Sequence, residues 1–153
     1  MAGLIARRAE NGRRSGTSWL RLAWATAVAV AAAVGGAVAV YLGAVAVGAI
    51  DSGVVLPSLL GMGPLSPASV SVTAAAATLG AAVLLGLLVQ TTRRAITYFR
   101  IAATVFATLS IWMPVTIPGP PPTMRAAMAG MHVVVWAAAV GLLATLAMPR
   151  SRS

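Results

Sequence analysis

Four long apolar stretches divide the chain, at 19–50, 67–89, 95–113 and 124–147, and short polar or proline-rich segments separate them. Each reaches or passes the roughly 20 apolar residues that carry a helix across a bilayer. The pattern predicts an all-α protein, a four-helix transmembrane bundle. Residues 1–17 are polar, glycine-containing and arginine-rich. They are expected to form a disordered basic cytoplasmic tail held near anionic headgroups by charge. Residues 18–148 then make the four-span membrane domain, and 149–153 a second short cytoplasmic tail.

The boundaries carry local signals. Ser18 is placed to cap the first helix, and Trp19 and Trp24 flank Arg21 as an interfacial belt. A helix over 19–50 would be about 48 Å long at 1.5 Å per residue, longer than the roughly 30 Å hydrocarbon core, so it must project or tilt. Asp51-Ser52-Gly53 is expected to end it, with Gly53 as the C-cap glycine. The loop that follows is unusually apolar and should fold back on the bundle or lie in the interface. Ser66-Pro67 reads as an N-cap followed by a first-turn proline. Tyr98 and Phe99 should anchor the third helix at the interface. Pro114, Pro118 and Pro120–Pro122 predict a non-helical loop, after which Thr123 can cap the fourth helix.

Charge sets the expected orientation. All eleven basic residues are arginine, and the formal net charge is +9. Ten arginines fall on one side of the predicted spans, before or just inside span one, around the second connection, and in the C-terminal tail. The other side holds Arg125 and Asp51. Short arginine-rich loops stay in the cytoplasm, which predicts an N-in, C-in plasma-membrane protein. The charge is therefore explained by orientation, and nucleic acid is not an expected partner. The first stretch is about twice as long as the roughly 7–15-residue apolar region of a cleaved signal, so a permanent span is expected. The arginine pairs at 7–8 and 13–14 are not closely followed by an apolar run, which argues against a twin-arginine export signal.

Composition narrows the chemistry. The chain has 153 residues, 59% hydrophobic, with mean hydropathy +0.93, and four spans use nearly all of it. With no cysteine, thiolate catalysis, disulfides, iron–sulfur clusters and cysteine zinc sites are excluded. The first helix is built from small residues. Ala31, Gly35, Ala39 and Gly43 recur every four positions, and Gly36, Ala44 and Gly48 form a second row. Such rows let helix backbones approach closely in lipid. The first row serves either packing inside the bundle or a homodimer face.

His132 is the main candidate for chemistry, about two turns into the fourth span. Intramembrane ionisable groups are costly and usually face the bundle interior or a wet cavity. The plain reading is a neutral histidine hydrogen-bonded to a hydroxyl or a carbonyl of another helix; the sharper one is a proton, ligand or metal role. Met124, Met128, His132 and Trp136 form one four-spaced stripe, with Met113 and Met62 at the same outer level. Thioether plus imidazole suits Cu(I), but the loops lack the His or Met clusters of a copper handler, and methionine commonly fills gaps between helices. Asp51 either caps the first helix or pairs with His132 or Arg125. Thr104 and Thr108, with Arg100, form a polar row on the third span, and Ser110 sits near its outer end. Internal hydrogen bonding is the ordinary use of such groups. No paired carboxylates, Ser-His-Asp set, phosphate loop or metal quartet is present, so neither catalysis nor a cofactor is expected.

From about residue 67 to 148 the chain resembles an uncharacterised actinobacterial family of four-span membrane proteins. The residues that carry the likeness are Thr92-Arg93-Arg94, Phe99-Arg100, Leu109-Ser110 leading to Pro114, and Met131-His132. The resemblance implies a four-helix architecture and a plasma-membrane location, and no activity. The function expected from the sequence is a non-enzymatic accessory or interaction subunit, in contact with the lipid bilayer and with a second copy or another membrane protein. The rival is a transporter or channel-like protein for a small solute or proton that uses His132.

Overall fold

The computed structural model describes residues 2–50, 55–58, 61–116 and 118–147, with side chains for 19–50, 55, 63–116 and 118–147. Four helices carry the architecture: α1 (Ala2–Ala46), α2 (Pro67–Thr91), α3 (Ala95–Thr116) and α4 (Pro122–Ala138). A π-helical turn (Ala139–Leu143) and a short α5 (Ala144–Leu146) continue α4. The stretches Trp19–Ala46, Pro67–Thr91, Ala95–Thr116 and Pro122–Leu146 are each long and apolar enough to cross a membrane. Consecutive helices are neighbours, and α1 and α4 also pack together, so the four close into a ring.

The helix ends differ from the sequence expectation in several places. The first helix begins at Ala2, so 2–17 continue α1 where a disordered tail is expected, and Ser18 lies within the helix instead of capping it. The segment has no proline, and alanine, arginine and leucine favour helix. At its other end α1 stops at Ala46. Gly48 takes φ +69, a left-handed conformation that suits glycine, and ends the helix five residues before Gly53. Gly48 N–H donates to the Val45 carbonyl (3.0 Å) and Ala49 N–H to the Ala44 carbonyl (2.8 Å), the bond pair of a Schellman cap.

The first loop is not purely irregular. β1 (Val55–Ser58) and β2 (Gly61–Pro64) pair antiparallel, with Val55 opposite Pro64 and Ser58 opposite Gly61. Both strands of a two-stranded ribbon are edges, so Pro57 and Pro64 are tolerated. After it, Ser66 caps α2 as expected. Its hydroxyl accepts the Ser69 N–H (3.2 Å), while the Ser69 hydroxyl accepts the Ser66 N–H (3.0 Å), a reciprocal capping box.

Proline does not stop α3 where expected. Pro114 lies inside the helix, buried, and α3 runs on to Thr116. So near a C-terminus the missing N–H forfeits a single backbone bond, which a membrane helix tolerates. The cap of α4 is Pro121, with Pro122 in the first turn, and Thr123 sits within the helix. Proline's φ of −65° at position 121, with extended ψ, already meets the cap geometry, so no side-chain cap is used.

The core has two layers. Ala25, Ala29, Ala82, Leu85, Phe99, Ala139 and Leu143 pack at the end where α2 turns into α3. Ala37, Tyr41, Val70, Ala74 and Met131 pack at the other end. Phe99, expected at the interface, is fully buried, and its neighbour Tyr98 is half-exposed. Hydroxyls contribute little between helices: Thr26, Thr78, Thr108 and Thr145 each donate to the carbonyl four residues back in their own helix.

Candidate functional site

The small-residue row of α1 faces away from the bundle. Ala31, Gly35, Ala39 and Gly43 are all exposed. A Cβ added at Gly35 or Gly43 meets nothing within 4 Å. The reading that this row packs inside the bundle is therefore corrected. The buried row of α1 is Ala25, Ala29, Ala33, Ala37 and Tyr41. Two residues separate the registers of the rows, about 200° around a helix of 3.6 residues per turn, so they lie on opposite faces. Gly36, from the second row seen in the sequence, faces α4, where an added Cβ would come 2.5 Å from Val134 Cγ1.

The polar groups fall at seams and ends. His132 is half-buried on α4, and its Nδ1 lies 2.8 Å from the Met128 carbonyl one turn back. A carbonyl only accepts, so Nδ1 carries the proton, and Nε2 is the nitrogen left for any further chemistry. The partner belongs to His132's own helix and not, as the sequence leads one to expect, to another. Met124, at the start of the same stripe, is fully buried, whereas Met113 is exposed.

Thr104 and Thr108 form the expected row on α3, but on its exposed side. The Thr108 hydroxyl donates to the Thr104 carbonyl (2.9 Å), and Trp136 Nε1 donates to the Thr104 hydroxyl (3.3 Å), joining α4 to α3. Arg100 is exposed one turn earlier, and Ser110 is half-buried. Asp51, and with it a pairing to His132 or Arg125, lies outside the described residues. Among the described residues no hydrogen bond joins His132 to Thr104, Thr108 or Ser110, so these candidates do not form one site.

Two residues matter more than the sequence reading foresaw. The Tyr41 hydroxyl donates to the Leu65 carbonyl (3.1 Å), tying α1 to the segment that follows the hairpin. Arg125 Nε donates to the Pro120 carbonyl (2.9 Å) and Nη1 to the Val115 carbonyl (3.4 Å), so this guanidinium stitches the end of α3 to the start of α4. A tyrosine inside an alanine row was the available signal for the first. Nothing in sequence spacing marks the second.

Comparison with known families settles the kinship. The model of a family of unknown function matches residues 15–149. The chain belongs to this family, DUF6069. The match takes in α1 from residue 15 onward, whereas the likeness visible in the sequence begins only near residue 67. DUF6069 is a family of unknown function, so membership assigns the chain no activity. No curated protein and no solved structure matches the chain.

Proposed function

We propose that this small multi-pass membrane protein is a non-enzymatic accessory or interaction subunit, which binds a second membrane helix through the outer row of α1. The observation that carries this reading is the open row Ala31, Gly35, Ala39 and Gly43, where a Cβ at either glycine meets nothing in its own bundle. Lipid gives apolar helices no hydrophobic drive to associate, so close backbone approach over small residues is a main source of affinity. A transport path through His132 has less to rest on, since the ring is half-buried and its Nδ1 is committed to the Met128 carbonyl of its own helix.

Disulfide crosslinking in native membranes tests the reading, because the chain has no cysteine of its own. A single cysteine at Ala39 is expected to trap a crosslinked species, at twice the chain mass for a homodimer and at another mass for a different partner. Gly35→Leu and Gly43→Leu should reduce the species at least about tenfold, the effect of about 1.4 kcal/mol of lost contact. Trapping no stronger than from a cysteine at exposed Val83 would end the proposal.

The proposed orientation places both termini in the cytoplasm of a plasma-membrane protein, on the strength of ten arginines against one. A cysteine at Gly119, in the connection between α3 and α4, should then react with an impermeant maleimide in intact cells. A cysteine at Arg152 should react only after lysis. The reverse pattern would invert the topology.

A further inference from the structure

The connection between α2 and α3 is only Thr92, Arg93 and Arg94, and its backbone is tied down. Thr92 is extended (φ −141, ψ 147), and its N–H donates to the Leu88 carbonyl at 2.9 Å. Its hydroxyl accepts the Arg94 N–H at 3.2 Å. A hollow of about 350 Å³ opens at this turn, bounded by Val89, Thr92, Arg93, Arg94 and Thr97. Both arginines are exposed there. The chain contains two acidic residues, Glu10 and Asp51, against eleven arginines, so most guanidinium groups have no carboxylate in the chain to pair with. Exposed forks of this kind are open to an anion from outside the protein. The turn joins two membrane-spanning helices and so lies at the boundary of the bilayer, at the depth of lipid phosphates.

We propose that this hollow binds the phosphodiester of an anionic phospholipid, with Arg93 and Arg94 as its ligands. A guanidinium presents a rigid fork of N–H donors that matches two phosphate oxygens at once. Thr92 already fixes the backbone beneath both forks, so binding has only the two side chains to order. The headgroup class follows from charge. A choline or ethanolamine headgroup brings its own cation next to the arginines and cancels the attraction. A glycerol headgroup brings none, and the lipid keeps its net negative charge. Each arginine near an anionic surface contributes about 1 kcal/mol. Two together predict about a thirtyfold preference for phosphatidylglycerol over phosphatidylcholine, the equivalent of about 2 kcal/mol at about 1.4 kcal/mol per tenfold.

Native mass spectrometry of the full chain from mixed micelles, with the two lipids at equal concentration, reads this preference directly. The wild type is expected to retain phosphatidylglycerol about thirtyfold over phosphatidylcholine. Arg93→Gln/Arg94→Gln should bring the ratio close to one. Arg93→Lys/Arg94→Lys, which keeps the charge without the fork, should fall between them and also shows that the turn tolerates substitution. Arg150→Gln/Arg152→Gln removes the same charge from the C-terminal tail and should leave the ratio unchanged. Equal retention of both lipids by the wild type would overturn the proposal. So would an equal loss in the tail variant, which would make the effect one of total charge. Inorganic phosphate is the third arm: if it displaces phosphatidylglycerol at millimolar concentration, the hollow is a free-anion site and the lipid assignment falls.

Discussion

Gly36→Leu is expected to destabilise the bundle strongly, while Gly35→Leu, one residue away, leaves the fold intact. The contrast comes from what each new side chain meets. At Gly36 even the first added carbon would lie 2.5 Å from Val134 Cγ1, so α1 and α4 must separate or Val134 must leave its position. Overpacking of this kind costs about 1–3 kcal/mol in well-packed interiors. Here the penalty should fall in the upper half of that range, because the α1–α4 contact depends on close approach and lipid supplies no force to re-close a widened gap. At Gly35 the space is open, and replacing a helical glycine recovers up to about 1 kcal/mol of backbone propensity. Thermal melting of the monomeric chain in detergent separates the two. A partner change supplies the check: Val134→Ala should restore part of the stability of Gly36→Leu, because it removes the methyl that clashes. If Gly36→Leu melts like the wild type, the helices are not in the contact described. Gly35→Leu then has a separate meaning, since it should weaken the proposed association without touching the melting temperature.

This pair of glycines also shows what the sequence could convey. The four spans are visible because hydropathy over 20 residues is a sum, and no neighbour is needed to read it. Ser66-Pro67 is visible for a related reason, since a cap is made by residues three apart in the chain. The orientation of α1 about its own axis is different. In a soluble helix a polar face marks the outside, but alanine, valine and glycine dominate both faces of this span. Four-spaced small residues occur on opposite sides, and spacing alone cannot rank Ala31-Gly35-Ala39-Gly43 against Ala25-Ala29-Ala33-Ala37. The contact that decides it is Val134, about a hundred residues away along the chain. Tyr98 and Phe99 repeat the lesson: both are aromatic at a span end, and only the position of α2 and α4 sends one inward. His132 was legible as a polar residue in a span, but its partner, the Met128 carbonyl, is a backbone atom that every residue carries, so sequence holds no trace of it.

Phe99→Ala is expected to loosen α3 more than any change of similar size elsewhere on that helix. α3 is the least enclosed of the four spans, and its buried residues are Ala95, Phe99 and Pro114. Phe99 is the one large side chain among them, fully buried between Leu85 of α2 and the π turn that follows α4. In a water-soluble core such a truncation costs about 3–5 kcal/mol, part of it from transfer out of water and part from the cavity left behind. The transfer part largely drops out in lipid, because the unfolded helix is already in an apolar medium. What remains is the loss of dispersion contacts across the cavity, each about 0.1–0.2 kcal/mol but numerous. A loss of about 2 kcal/mol is the expected result, read as earlier unfolding in a titration with denaturing detergent. Two companions fix its cause. Phe99→Leu keeps most of the volume and should lose less than half as much. Phe106→Ala removes the same ring from a position on α3 that is 69% exposed, where it borders lipid, and should change little. If Phe106→Ala proves as damaging as Phe99→Ala, then α3 is rotated from the orientation described, and the Trp136–Thr104 bond that shares its seam would have to be reassigned with it.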